Sequence, residues 1–94
     1  MSDADILASA RGAKMLLEND EMKKAFAAVR ENILRRIEDA PIRDREGVHE
    51  LKLMLKVLGD VKANLQSVLD AGKVIESRIS MLDRAKKGLN AFRS

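Results

Sequence analysis

From Leu51 to Leu89 the apolar positions of this chain recur with a step that alternates between three and four. Leu51, Met54, Leu58, Val61, Leu65, Val68, Gly72, Ile75, Ile79, Leu82, Lys86 and Leu89 follow one another without a slip, and ten of the twelve are apolar. That spacing predicts an α-helix that holds a single seam against a partner. The seam has two halves. Between Leu51 and Leu69 it is wide, because Leu53, Leu55, Val57 and Leu69 flank it, so this half is expected to pack against more than one neighbour. Beyond Gly72 it narrows to Ile75, Ile79, Leu82 and Leu89, closer to a pure coiled-coil seam.

Two shorter periodic stretches precede it. Ile6, Ala10, Ala13 and Leu17 share one helical face, broadened by Leu7 and Leu16, and Ser2 with Asp3 and Asp5 reads as a capped N-terminus. This predicts a first helix over Asp3–Glu18. Asn19-Asp20 reads as a break with a fresh cap, although a single kinked helix fits the same residues. A second helix is expected from Asp20 or Glu21 to Asp39, with the stripe Met22, Phe26, Val29, Ile33 and Ile37 and with Ala25 and Leu34 alongside. Ala40-Pro41-Ile42-Arg43 ends it, since proline disfavours helical geometry in the residue before it. Asp44 then caps the long helix, with Gly47 at its third helical position. The expected fold is all-α and one domain over residues 1–94. Two short N-terminal helices, within 1–39, pack on a long C-terminal helix over 44–92.

Gly72 leaves two readings open. Asp70-Ala71-Gly72-Lys73 resembles a helix stop with a glycine C-cap, yet the heptad phase is the same on both sides, as a continuous or gently bent helix requires. A continuous helix of that span would be about 74 Å long at 1.5 Å per residue. One small chain cannot cover such a rod, so a coiled-coil-like homo-oligomer is expected. Its interface is Leu51, Met54, Leu58, Val61, Leu65, Val68, Ile75, Ile79 and Leu82, with Leu58, Val61, Leu65 and Val68 at the centre. Leucine at the first core position with β-branched residues at the second disfavours a parallel dimer. An antiparallel arrangement relaxes that argument, so copy number and orientation stay open.

Composition agrees with a helical fold. The 94 residues are 46% hydrophobic and 35% charged, with no tryptophan or tyrosine and only Phe26 and Phe92 as aromatics. The chain leans on Ala, Leu, Met, Lys, Arg and Glu, which favour helices over sheets. The first residues are acidic where a secretory signal would be basic, and no apolar run approaches the ~18 residues of a membrane span. A cytoplasmic protein with no membrane partner is expected. Residues 73–94 hold six basic and two acidic side chains, although the whole chain is only +3. Lys73, Arg78, Arg84, Lys86 and Lys87 are therefore the candidate phosphate-binding set, and a nucleic-acid-binding accessory protein is the competing expectation. Without aromatic platforms for base stacking, any such binding would be to phosphates and sensitive to salt. Scattered cations on a solvated helix are also ordinary, and a charge run alone favours that plainer reading.

Candidate chemistry is sparse. The one histidine sits in Glu46-x-x-His49, a spacing used by carboxylate-bridged di-iron bundles. Such a site needs two of these motifs and two further glutamates, here from Glu18, Glu31 or Glu38. A lone helical histidine is ordinarily a surface or core-rim residue, and no metal or cofactor is expected. There is no cysteine, and His49 has no evident nucleophile partner for a triad. Gly12, Gly47, Gly59, Gly72 and Gly88 stand singly and form no phosphate-binding loop. Gly59, beside Leu58, marks either a close helix approach or a tolerated helical glycine. Met22 and Met54 are placed in the core stripes, and no enzymatic activity is expected.

Three stretches carry a resemblance. Ala13-Lys14-Met15-Leu16-Leu17-Glu18-Asn19 is followed closely by Met22-Lys23-Lys24-Ala25-Phe26. Ala40-Pro41-Ile42-Arg43-Asp44-Arg45-Glu46 opens a long helix. Leu51-Lys52-Leu53-Met54-Leu55-Lys56-Val57-Leu58 leads on to Asp70-Ala71-Gly72-Lys73. Together, over residues 13–73, they resemble small uncharacterised helical proteins of tailed bacteriophages and prophages. The resemblance implies a virion-assembly or DNA-packaging setting and another phage assembly protein as a partner. Location would then be the host cytoplasm or the virion. It implies no role for any single residue.

Overall fold

In a computed structural model, which describes residues 1–93 and the side chains of residues 1–90, the chain forms three helices: α1 (Asp3–Glu18), α2 (Asp20–Asp39) and α3 (Arg45–Arg93). Ser2 caps α1 through a reciprocal box. Its hydroxyl accepts from the Asp5 N–H at 3.2 Å, and the Asp5 carboxylate accepts from the Ser2 N–H at 3.4 Å. The break between α1 and α2 is one residue wide. Asn19 leaves helical geometry at φ −69° and ψ 121°, and its side-chain oxygen accepts from the Met22 N–H at 2.9 Å, starting a new helix at once. Ala40 is extended ahead of Pro41, as the proline ring requires. The chain then reverses through residues 41–44, where the Asp44 N–H donates to the Pro41 carbonyl at 2.9 Å. Asp44 caps α3 by accepting from the Gly47 N–H at 2.9 Å.

The result is a long hairpin with one interrupted arm. α2 and then α1 lie end to end along α3 and run antiparallel to it, as three contacts along the rod show. Ile37 and Glu38 line one concavity with Val48, His49 and Lys52. The Lys62 ammonium lies 5.8 Å from the centroid of the Phe26 ring. Ala10 meets Gly72. The molecule measures 78 × 24 × 18 Å, with a radius of gyration of 21.4 Å. A compact domain of this length would have a radius near ~12 Å.

α3 runs without interruption through Gly72, which is buried and has no positive φ. Of the two readings of this glycine, the continuous helix is the one that forms, and the reason is packing. A Cβ at Gly72 would overlap the Ala10 Cβ. Glycine on α3 and the buried Ala10 and Ala13 on α1 thus let two helix backbones approach closely. Gly59, the other candidate for a close approach, has nothing within 4 Å of a built Cβ and is a tolerated helical glycine.

The core is thin. Ala10, Ala13, Ile33, Leu51 and Ile75 are its buried apolar residues, and no buried polar or charged side chain occurs among the described residues. Ile6, Leu7, Leu17, Met22, Phe26, Ile37, Val48, Leu55, Leu58, Leu65, Val68 and Leu69 are half-buried around it. Several residues expected in or beside the core stripes turn outward instead: Leu16, Ala25, Val29, Leu34 and Met54 are exposed. The second arm is one helix wide and shields only a narrow strip of α3. The ion pairs Lys24–Glu21 at 3.4 Å and Arg35–Glu31 at 3.3 Å both lie within α2 and are exposed, so they add only a few tenths of a kcal/mol each. The hairpin is held by apolar contact.

The glycines separate propensity from packing. Gly59→Ala should raise stability by up to about 1 kcal/mol, the usual gain in an exposed helix. Gly72→Ala should forfeit that gain and lose about 1–3 kcal/mol to overpacking against Ala10. Thermal melts followed by circular dichroism at 222 nm check this, and a Gly72→Ala variant as stable as Gly59→Ala would contradict the close crossing.

Candidate functional site

The candidate site is a surface rather than a pocket. Of the expected interface residues, Leu51 and Ile75 are buried inside the chain itself, under α2 and α1. Leu58, Leu65 and Val68 are half-buried there. Met54, Val61, Ile79 and Leu82 are exposed, together with Val57 and Leu89. The seam that is continuous in sequence is therefore divided lengthwise. The edge that carries Leu51, Leu58, Leu65 and Gly72 faces the chain's own second arm, while much of the other edge faces solvent.

The uncovered edge has two parts. In the first half of α3, Met54, Val57 and Val61 are 48%, 60% and 46% exposed. Met54 lines a shallow groove with Leu51 and Glu50 of α3, Arg36 and Asp39 of α2, and Asp44 at the loop. One heptad back along α2 from Arg36 is Val29, which forms an almost wholly apolar dimple with Met22, Ala25 and Phe26. The second part lies beyond the reach of α1. Every described side chain from Glu76 to Asn90 is exposed, including Ile79, Met81, Leu82 and Leu89. A 16-residue and a 20-residue helix cannot cover a 49-residue one, so α3 overhangs its cover.

The candidate phosphate-binding residues all lie on or next to this overhang and all are exposed. At 3.6 residues per turn, Lys73, Arg84 and Lys87 fall on one flank, opposite the apolar edge. Arg78 and Lys86 fall beside that edge instead. Arg93, counted with the basic C-terminal quarter, and Phe92 lie outside the described side chains. Three cations on one flank can follow only a short length of phosphate backbone.

His49 is exposed and lines the opposite groove with Lys52 and Glu38. Among the described residues, no group of three or more His, Cys, Asp or Glu side chains converges on a point that could hold a metal ion. Among the described residues, no helix is long and apolar enough to cross a membrane. Protein-family models, curated proteins and solved structures were compared with the chain, and none matches it.

The split of the cations makes a numerical prediction. If duplex DNA binds through the Lys73, Arg84 and Lys87 flank, log K should fall against log salt with a slope no steeper than about −3. Electrophoretic shifts across a salt series measure that slope. A value near −5 would mean that Arg78 and Lys86 also contact phosphate, and it would contradict their placement beside the apolar edge.

Proposed function

We propose that this chain is a non-enzymatic assembly protein that works by self-association through the uncovered edge of α3. The observation that carries this reading is excess surface. The chain exposes 7902 Å², whereas a compact monomer of its mass exposes roughly 5,400 Å². The difference, about 2,500 Å² per chain or about 5,000 Å² for a pair, is as large as the 2,000–5,000 Å² that obligate subunit interfaces bury over both partners. An exposed run of Met54, Val57, Val61, Ile79, Leu82 and Leu89 along one helix is the apolar surface such an interface would use. A second copy of the chain carries the same seam and so fits it.

The setting proposed for this assembly, a phage or prophage virion-assembly or DNA-packaging module acting in the cytoplasm or virion, rests only on the likeness of residues 13–73. The geometry is compatible with a scaffold role.

Leu82→Asp tests the reading directly. Leu82 is 63% exposed in the single chain, so the change leaves the hairpin's own contacts intact. It would bury an unpaired carboxylate in the interface. That costs several kcal/mol and, at 1.4 kcal/mol per decade, weakens association by about 100-fold or more. Met15→Asp on the outer face of α1 is the control and should not change the assembly. Size-exclusion chromatography with light scattering reads both masses, and an unchanged mass for Leu82→Asp would sink the proposal.

A further inference from the structure

We infer that the second copy docks antiparallel, so that the α3 overhang of one copy, residues 79–90, lies against the Met54–Val61 edge of the other. This rests on the self-association proposed above and adds to it an orientation and a register.

The first argument is coverage. The overhang lacks cover because α1 ends short of it, and the Met54–Val61 edge lacks cover because α2 sits on the neighbouring face. These two uncovered stretches lie at opposite ends of α3, and an antiparallel pair superposes one on the other. A register in which residue numbers across the interface sum to about 139 places Leu82 opposite Val57 and Ala85 opposite Met54. Met54 and Val61, each about one turn from Val57, then flank Leu82. The molecular dyad then passes between Leu69 and Asp70, near the middle of the helix.

The second argument is charge, and it decides between orientations. The loop end of the hairpin, residues 38–50, holds Glu38, Asp39, Asp44, Glu46 and Glu50 against Arg43 and Arg45. Asp39, Asp44 and Glu50 line the groove beside Met54. The overhang is basic. An antiparallel pair brings Lys86 within a turn of the partner's Glu50 and Arg78 beside the partner's Asp60. A parallel pair brings Lys86 to Lys86 and Arg78 to Arg78, with both acidic loop ends together. Flanking charges of this kind set the orientation of helix pairs.

The chain has no cysteine, so single introduced thiols report orientation without interference. Val57→Cys and Leu82→Cys, both at exposed positions, would be mixed in equal amounts from denaturant, refolded and mildly oxidised, and the covalent dimers identified by mass spectrometry. The antiparallel register predicts a mixed Val57→Cys/Leu82→Cys dimer. Each variant alone should fail to cross-link, because its two thiols would be about 38 Å apart along the helices, far beyond the ~7 Å that a disulfide spans between Cα atoms. Homodimeric cross-links in excess over the mixed one would overturn the orientation and leave self-association standing. An assembly by light scattering without any cross-link would overturn the register. A monomeric mass at all concentrations would overturn both this inference and the proposal beneath it.

Discussion

A 49-residue helix that must be kept from water by 16- and 20-residue helices is the constraint from which the rest of this molecule follows. The cover is short in length and narrow in width. It shields the α3 edge carrying Leu51, Leu58 and Leu65, and it reaches Ile75 only because Gly72 lets α1 approach closely. What remains is an apolar edge on the first half of α3 and a whole overhang beyond Ile75. Both the thin core and the large radius of gyration express this one mismatch.

Packing on two scales then gives the molecule a division of labour. Small residues at Ala10, Ala13 and Gly72 make the intrachain crossing close, and such contacts depend on shape rather than on area. The larger Met54, Val57, Val61, Leu82 and Leu89 face outward, where they can contribute area to an interface. No ion pair links one helix to another among the described residues. The charges of the loop end and of the overhang are thereby free to influence how copies meet rather than how one copy folds.

Most of the fold is written locally in the chain, and for that reason it is legible. Ser2, Asn19, Pro41 and Asp44 fix four helix boundaries by hydrogen bonds or ring sterics that span three residues or fewer, so the boundaries expected from sequence coincide with those observed. What sequence leaves open is which partner each face meets. Gly72 could end a helix or admit a neighbour, and only Ala10, 62 positions earlier in the chain, decides between them. Leu51 and Met54 are successive core positions of the heptad pattern. One is exposed and the other buried because α2 lies to one side of the seam. Periodicity defines a stripe and does not say how many helices will share it. The surface in question was therefore visible as a whole, and its division into an internal and an external edge was not.

Sedimentation equilibrium of the unmodified chain over a wide concentration range tests the central claim most directly. The account predicts a species of at least twice the 10.5 kDa chain mass, together with thermal stability that rises with concentration, since subunit association and folding are then linked. A stable particle of 10.5 kDa at every concentration, with a melting temperature independent of dilution, would contradict it.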